Sequence, residues 1–547
     1  MYFSTYTLLL YVLVAKGVVG TSSCPNFPVV DLGYARHAPT LVNQTILYNI
    51  SYATYANIRF AQPPTGELRF RAPKLPPPKS STIQNGSYPR NSTDCLISIP
   101  PDLPIAPGTN GTSWGSEDCL FLTVKVPEGL AGQKVPVLHW LYGGGYLFGG
   151  SSDWAGNPAG LFEEMDPNEK FITVSSNYRL GSLGWISSEG VDMTPNVGLW
   201  DALVALEWTK EYISYFGGDP DRITTIGESA GGGIIQHLLT LRGGNGTVPF
   251  SQAIITSPGY RPHVNRSAAM TDLYDDFLHA TNCSDIKCLR ELPSSAVAKA
   301  NQQLIFDIPA RNGFLGPGIG FGPIIDGDLV PALPEQLLKE GKYHKSVQKV
   351  LTANMAADGL GATSSDATTW KEFLPIWMTN PSAKTISIVN TTWPNTTGLA
   401  LQTFAQDAIY ACHAWRTAKV WGPNAYRYSM SIPPATHGQD QFYYLYVNGT
   451  YEETSVEYPN IARQLQGYFR RFILQSYTGG GEPACEAKAN GKTPTPTPTP
   501  QHWPAYGSMG RWMNVTNDTF VLMYGEEDQE KRCEVLLDLI NDPSNGF

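Results

Sequence analysis

Charge is scarce in this sequence, and basic charge scarcest. Asp, Glu, Lys and Arg make up 16% of the 547 residues, and 38 Lys plus Arg face 48 Asp plus Glu, a formal net charge of −10. A chain of this balance has no general attraction for nucleic acid or anionic lipid. Past the N-terminus no apolar run reaches 18 residues, so no transmembrane helix is expected. There is no Cys-X-X-Cys and no Cys/His cluster at ligand spacing, so no metal centre is expected. Internal repeats are absent too. Apolar and aromatic residues, by contrast, are plentiful: 42% hydrophobic, with 13 Trp, 28 Tyr and 21 Phe. That composition excludes disorder and supports a large buried core. The length would allow three or four average domains, but large α/β folds often exceed such averages as one unit.

The N-terminus carries the apolar run Leu8-Leu9-Leu10-Tyr11-Val12-Leu13-Val14-Ala15, followed by the small residues Gly17 and Gly20. Residues 1–20 read as a signal peptide, since a dozen apolar residues are too few to span a bilayer. Two features agree with an oxidising, extracellular destination. Thirteen Asn-X-Ser/Thr sequons occur, at Asn43, Asn49, Asn85, Asn91, Asn110, Asn245, Asn265, Asn282, Asn390, Asn395, Asn448, Asn514 and Asn517, which predicts N-glycans. The eight cysteines are an even number, as a disulfide framework needs.

Apolar β-rich runs at 135–142, 171–178, 222–226, 252–257, 347–354 and 425–430 read as buried strands. Stretches at 199–215 and 233–241 carry helical spacing between them. This alternation predicts an α/β fold with a large, mostly parallel sheet and helices on both faces. Thr493 to Pro500 is Thr-Pro four times and follows Gly479-Gly480-Gly481. A stiff, exposed loop is therefore expected at about 479–502, inside one domain covering 21–547. Only a short segment follows it, too small for a core of its own.

Gly227-Glu228-Ser229-Ala230-Gly231 follows the strand at 222–226 and opens a helix. In that context Gly-X-Ser-X-Gly makes a nucleophile elbow. The chain must turn so sharply that side chains at 227 and 231 would clash, and the following helix points its free N–H groups at the reacting oxygen. Upstream, Trp140-Leu141-Tyr142-Gly143-Gly144-Gly145-Tyr146 ends another strand. Glycines there let backbone amides turn towards an oxyanion, so the expected donors are the amides of Gly144, Gly145 and Ala230.

With these motifs the chain resembles the type-B carboxylesterase, cholinesterase and fungal lipase group of α/β-hydrolases. The matching segments are Phe60-Ala61-Gln62-Pro63-Pro64 with Leu68-Arg69-Phe70, Ser116-Glu117-Asp118-Cys119-Leu120, Asn177-Tyr178-Arg179-Leu180-Gly181, Phe216-Gly217-Gly218-Asp219-Pro220 and the elbow. The resemblance implies an α/β-hydrolase fold and a serine esterase with a Ser-acid-His triad, a small-molecule ester as substrate, no metal and no organic cofactor. It also implies the disulfides Cys95–Cys119, Cys283–Cys288 and Cys412–Cys533, which by elimination leaves Cys24 and Cys485 as a pair.

In this fold the order is nucleophile, acid, base. Three histidines lie late enough: His413, His437 and His502. His413 follows Cys412 in an expected helix and His502 adjoins the Thr-Pro tract, whereas His437-Gly438 lies in a loop after a strand and matches the family's His-Gly motif. The acid is expected at Asp358, after the strand at 347–354 and before Gly359. The family shows Asn, two residues, Glu, Gly at this point; here Asn354 is followed by three residues, Asp358 and Gly359, so Asp366 stands in reserve. Glu228 is expected to be a buried structural acid fixed by hydrogen bonds, and Trp114 a packed loop aromatic.

The loop closed by Cys95 and Cys119 is rich in Pro, Gly, Ser and Thr, holds sequon Asn110 and lacks an amphipathic helix. A preference for short to medium acyl esters without interfacial activation follows. The competing readings are a lipase or sterol esterase whose acyl tunnel is built from other segments, and a cholinesterase-like binding or adhesion module, which would lack the elbow serine or the histidine.

Overall fold

The computed structural model describes residues 27–546, apart from 46–48, 102–110, 131, 153–158, 164, 166–168, 265–266, 313–319, 361–366, 379, 395–398, 448–455 and 475–502. The expected signal peptide, the Thr-Pro loop, Cys24, Cys485, Asp366, His502 and the sequon at Asn110 lie outside the described residues.

An eleven-stranded sheet runs through the molecule. At its centre Ile172–Ser176, Val135–Leu141, Gly218–Glu228, Gln252–Thr256, Lys349–Met355, Ala425–Met430 and Trp512–Val515 lie side by side, all parallel. Every residue of Val135–Leu141 is buried, and so are most of the others, because helices cover both faces. That is why these strands read as continuous apolar runs rather than as alternating ones. The edges are antiparallel: Phe520–Met523 on one side, and Phe121–Pro127, Ser51–Arg59 and Leu41–Gln44 on the other. The sequence reading found six of these seven parallel strands, and missed Trp512–Val515 and the edge strands. The outermost of them, Leu41–Gln44 and Phe520–Met523, are largely exposed and do not stand out as buried runs.

The helix Val197–Tyr212 and the helix Ala230–Leu239 fall where helical spacing was read. A smaller aromatic cluster of Trp370, Phe373, Trp377, Trp393 and Phe404 packs beside the main core. It is tied to the C-terminal helix Glu527–Asn541 by the disulfide Cys412–Cys533 and by Asp407, which accepts from Trp393 Nε1 at 2.8 Å and Arg532 Nε at 2.6 Å. The disulfides Cys95–Cys119 and Cys283–Cys288 are also present, as expected. Among the described residues no helix is long and apolar enough to cross a membrane.

The parallel centre sets up the chemistry. Gly143 to Gly145, Ser229, Ser257, Asp358 and His437 all follow the C-terminal ends of these strands, which in open α/β sheets is where ligands bind.

Candidate active site

Ser229 joins the strand Gly218–Glu228 directly to the helix Ala230–Leu239. Its backbone stands at φ 55°, ψ −126°, a conformation that costs a non-glycine residue about 1–3 kcal/mol and persists only when its surroundings enforce it. The surroundings are three backbone hydrogen bonds. The Ser229 N–H donates to Thr256 O at 3.1 Å, and its carbonyl accepts from Gly233 N at 2.9 Å and Gly259 N at 2.7 Å. The turn is tight enough to demand its glycines. A Cβ at Gly231 would stand 2.1 Å from Leu141 O, and one at Gly227 would stand 2.5 Å from the Gly231 carbonyl carbon.

His437 reaches Ser229 from the loop after Ala425–Met430. That loop and the one after Lys349–Met355 run together: Ala356 N donates to Met430 O and Ala357 N to Ala435 O, both at 2.9 Å, and Ala357 bridges Thr436. This pairing carries Asp358 to His437 across 79 positions. His437 Nε2 lies 2.8 Å from Ser229 Oγ and its Nδ1 lies 2.9 Å from Asp358 Oδ1. Because an ionised carboxylate only accepts, Asp358 assigns the proton to Nδ1 and leaves Nε2 free to accept from the serine. Asp358 is fully buried and also accepts from Met355 N–H at 2.7 Å and from the Ser257 hydroxyl at 3.0 Å. The structure thus brings together Ser229, His437 and Asp358.

The three amides expected to form an oxyanion site are available. Among the described residues, the N–H groups of Gly144, Gly145 and Ala230 have no hydrogen-bond acceptor. Gly144 sits at φ +103° with a Cβ position only 2.2 Å from Phe148 O, so a side chain there is impossible.

A second His–Ser contact exists and has a different character. His139 Nε2 lies 2.8 Å from Ser176 Oγ and its Nδ1 lies 2.9 Å from Thr209 Oγ1. All three side chains are fully buried, and burial pushes the imidazole down to about 3. This group ties two strands to a helix inside the core, with no surface open to solvent. His413 is buried in the helix Cys412–Trp421. Trp114 packs against the main core from the short strand Ser113–Trp114.

Glu228 is buried as expected. Of the hydrogen bonds expected to fix it, its Oε1 makes none among the described residues; that oxygen lies 3.2 Å from His437 Nε2 instead. Burial pushes this carboxyl up to about 8. For His437, burial alone would favour the neutral ring, but the carboxylates of Glu228 and Asp358 outweigh it and raise the imidazole to about 9. Tyr410 stacks on His437 with ring centroids 4.2 Å apart, delivered by a π-helical turn at Asp407–Ala411, a deformation frequent at functional sites. Asp440, in the first turn after His437-Gly438, is buried against the Tyr428 hydroxyl at 2.7 Å and pushed up to about 7 by burial. Ser257, Tyr410, Asp440 and the closeness of Glu228 to the imidazole escaped the sequence reading. Only Ser257 had a usable signal, its position at the C-terminal end of a buried strand.

Comparison with known proteins identifies the family. The carboxylesterase family profile matches residues 42–535. Carboxylesterase patB of Aspergillus clavatus is 32% identical over 93% of this chain and 95% of its own length. Lipase 1 of Geotrichum candidum is 31% identical over 62% of this chain and 66% of its own. The crystal structure of Aspergillus niger EstA has the same fold, with a TM-score of 0.74 at 24% identity, covering 94% of this chain and 98% of that one. A chain matched along nearly all its length by that profile and that relative, with a serine, a histidine and an acid in line at the ends of its parallel strands, belongs to the carboxylesterase family.

Proposed function

We propose that this carboxylic-ester hydrolase works through Ser229 as nucleophile, His437 as general base and acid, and Asp358 as the acid that orients the imidazole. The observation that carries the reading is the unbroken line from Ser229 Oγ through His437 to Asp358, at 2.8 and 2.9 Å. His437 Nε2 takes the hydroxyl proton as Oγ attacks the ester carbonyl carbon. The carbonyl oxygen becomes an oxyanion and accepts from the amides of Gly144, Gly145 and Ala230, where loss of one such donor typically costs ~3 kcal/mol in the barrier. The imidazolium returns the proton to the leaving alkoxide and the alcohol departs. Water then attacks the acyl-enzyme with His437 again as base, and the carboxylic acid leaves with Ser229 restored. A binding module of this fold would need none of this alignment. Turnover of a chromogenic ester by the purified protein decides between the two, and its absence would favour the binding module.

The pH dependence follows from Glu228. Once ionised, its carboxylate favours the imidazolium, which cannot act as base. Glu228→Gln removes the charge, lowers the His437 pKa and moves the acid limb of kcat/KM to lower pH by about one unit. A pH–rate profile of the variant with an unmoved or raised acid limb would contradict this assignment.

The substrates are short to medium acyl esters. Supporting this, in the described part of the Cys95–Cys119 loop Leu96, Ile97 and Ile99 are buried in the body of the protein, and the partly buried Trp114 packs against the core, so none is free to cover an acyl chain. The similarity to lipases supports the second reading, a lipid or sterol esterase. Across a p-nitrophenyl ester series, kcat/KM is expected to peak at short or medium acyl length, with no jump when substrate forms droplets. A steady rise to the longest chain would establish the lipase instead.

The protein is secreted and N-glycosylated, and folds as one domain from residue 21 onward. The sequons at Asn49, Asn85, Asn91, Asn245, Asn282, Asn390 and Asn517 are exposed, which supports the glycan reading.

A further inference from the structure

Five buried side chains that the proposed reaction does not use gather around Tyr260. Gln236 and His237 come from the helix behind Ser229, Glu335 from the helix Pro334–Lys339, and His413 and Thr417 from the helix Cys412–Trp421. Tyr260 is gripped along its whole length. Its hydroxyl donates to Glu335 Oε1, and its carbonyl lies 3.3 Å from His413 Nε2. Its ring lies parallel to the His413 imidazole, with centroids 4.0 Å apart and planes 7° apart, and meets the His237 ring edge-on at 4.6 Å. His413 Nδ1 in turn pairs with Glu335 Oε1. Gln236 Nε2 braces the far side, donating to the His413 carbonyl at 3.1 Å and to Thr417 Oγ1 at 3.2 Å. Burial alone would raise the Glu335 pKa, but His413 and Tyr260 hold it below the usual carboxylate range.

One residue separates this cluster from the nucleophile. The Gly259 N–H donates to the Ser229 carbonyl at 2.7 Å, and the Gly259 carbonyl accepts from the Tyr146 hydroxyl at 2.8 Å. A Cβ at Gly259 would stand 2.9 Å from the Tyr410 ring and 3.4 Å from Ser229 Oγ. Two positions before Gly259, Ser257 donates to Asp358. The segment 257–260 therefore touches the acid at one end and the nucleophile in its middle, and its other end is anchored in the Glu335–His413 pair. Ser229 needs such a hold, since its strained conformation relaxes when its neighbours give way.

We propose that Glu335 and His413 are positioning residues for the nucleophile: by clamping Tyr260 they fix the strap 257–260, and through Gly259 they hold the Ser229 main chain where its hydroxyl meets His437. The proposal rests on Ser229 being the nucleophile. It predicts that loosening the clamp misplaces Oγ without altering the substrate pocket, and a misplacement of about 1 Å can cost 10²-fold in rate.

The test uses Tyr260→Phe, Glu335→Gln and the double variant. Activity is counted per active site by titration with a serine-reactive phosphonate, at a temperature well below each unfolding midpoint. In each single variant kcat per titrated site is expected to fall about 10- to 100-fold, with KM within about twofold. The phosphonylation rate should fall by a similar factor. The double variant should be no slower than Glu335→Gln, because both changes cut the same link. A lowered unfolding midpoint with wild-type kcat per site would mean that the cluster only packs the core, and a rise in KM alone would mean that it shapes the pocket; either overturns the proposal. If Glu335→Gln does not fold, Tyr260→Phe, which keeps the ring and loses one oxygen, decides by itself. Full activity of Ser229→Ala would remove the nucleophile reading, whereas an inactive Ser229→Ala beside a fully active Tyr260→Phe would remove only the clamp.

Discussion

Ser229→Ala is expected to lower kcat by a factor on the order of 10⁶, leaving only what the oxyanion donors and substrate binding supply. The fold should survive, because the three hydrogen bonds that define the elbow all involve main-chain atoms of Ser229. Circular dichroism and the unfolding midpoint should match the parent protein, and the phosphonate should no longer label the chain. The φ of 55° adds a second reading to the same position. Ser229→Gly should be equally inactive, yet more stable than Ser229→Ala by about 1 kcal/mol, because glycine adopts this conformation without strain. Turnover within tenfold of the parent in either variant would mean that another group attacks the ester.

Asp358→Asn should follow with a loss of about 10⁴ in kcat and little change in fold. The carboxylate accepts from three donors, the Met355 amide, the Ser257 hydroxyl and His437 Nδ1. An asparagine offers one acceptor oxygen and one NH₂ donor. With the NH₂ facing the ring, Nδ1 becomes the acceptor and the proton moves to Nε2, opposite Ser229, where no base remains. Asp366→Asn is the control, expected to keep near-parental activity. If Asp366→Asn is crippled and Asp358→Asn is not, the additional residue after Asn354 has shifted the acid and the assignment is wrong. A pH profile of Asp358→Asn should also show the acid limb of its residual activity at lower pH, because a charge that favours the imidazolium is gone.

These two positions differ in how they could be read. Ser229 was legible from five residues and their flanks, because an elbow is a local object: the strand, the strained serine and the two glycines that make room for it are consecutive. Gly144 was legible for the same reason, since a left-handed backbone against Phe148 O admits no side chain. Asp358 was legible only in part. Its neighbourhood departs from the family's spacing, and the property that distinguishes it from the other acids is its distance to His437, set by backbone pairing between two loops far apart in the chain.

The same division runs through the whole protein. Local sequence determined the buried parallel strands, the elbow, the glycine run and the His-Gly loop, because each depends on apolar continuity or on main-chain conformations that neighbouring residues must permit. The antiparallel edges depend on pairing partners, and their mixed residues became strands only once a neighbour stood beside them. Tertiary structure alone decided the electrostatics of the site. Glu228 ends its strand as any acid might, and only the arrival of His437 from 209 positions away sets its carboxyl against an imidazole. Tyr410 covers the imidazole, and Tyr260 is gripped by Glu335 and His413, for the same reason: burial and approach are properties of the packed chain, and long-range contacts leave no periodicity or spacing for a sequence to display.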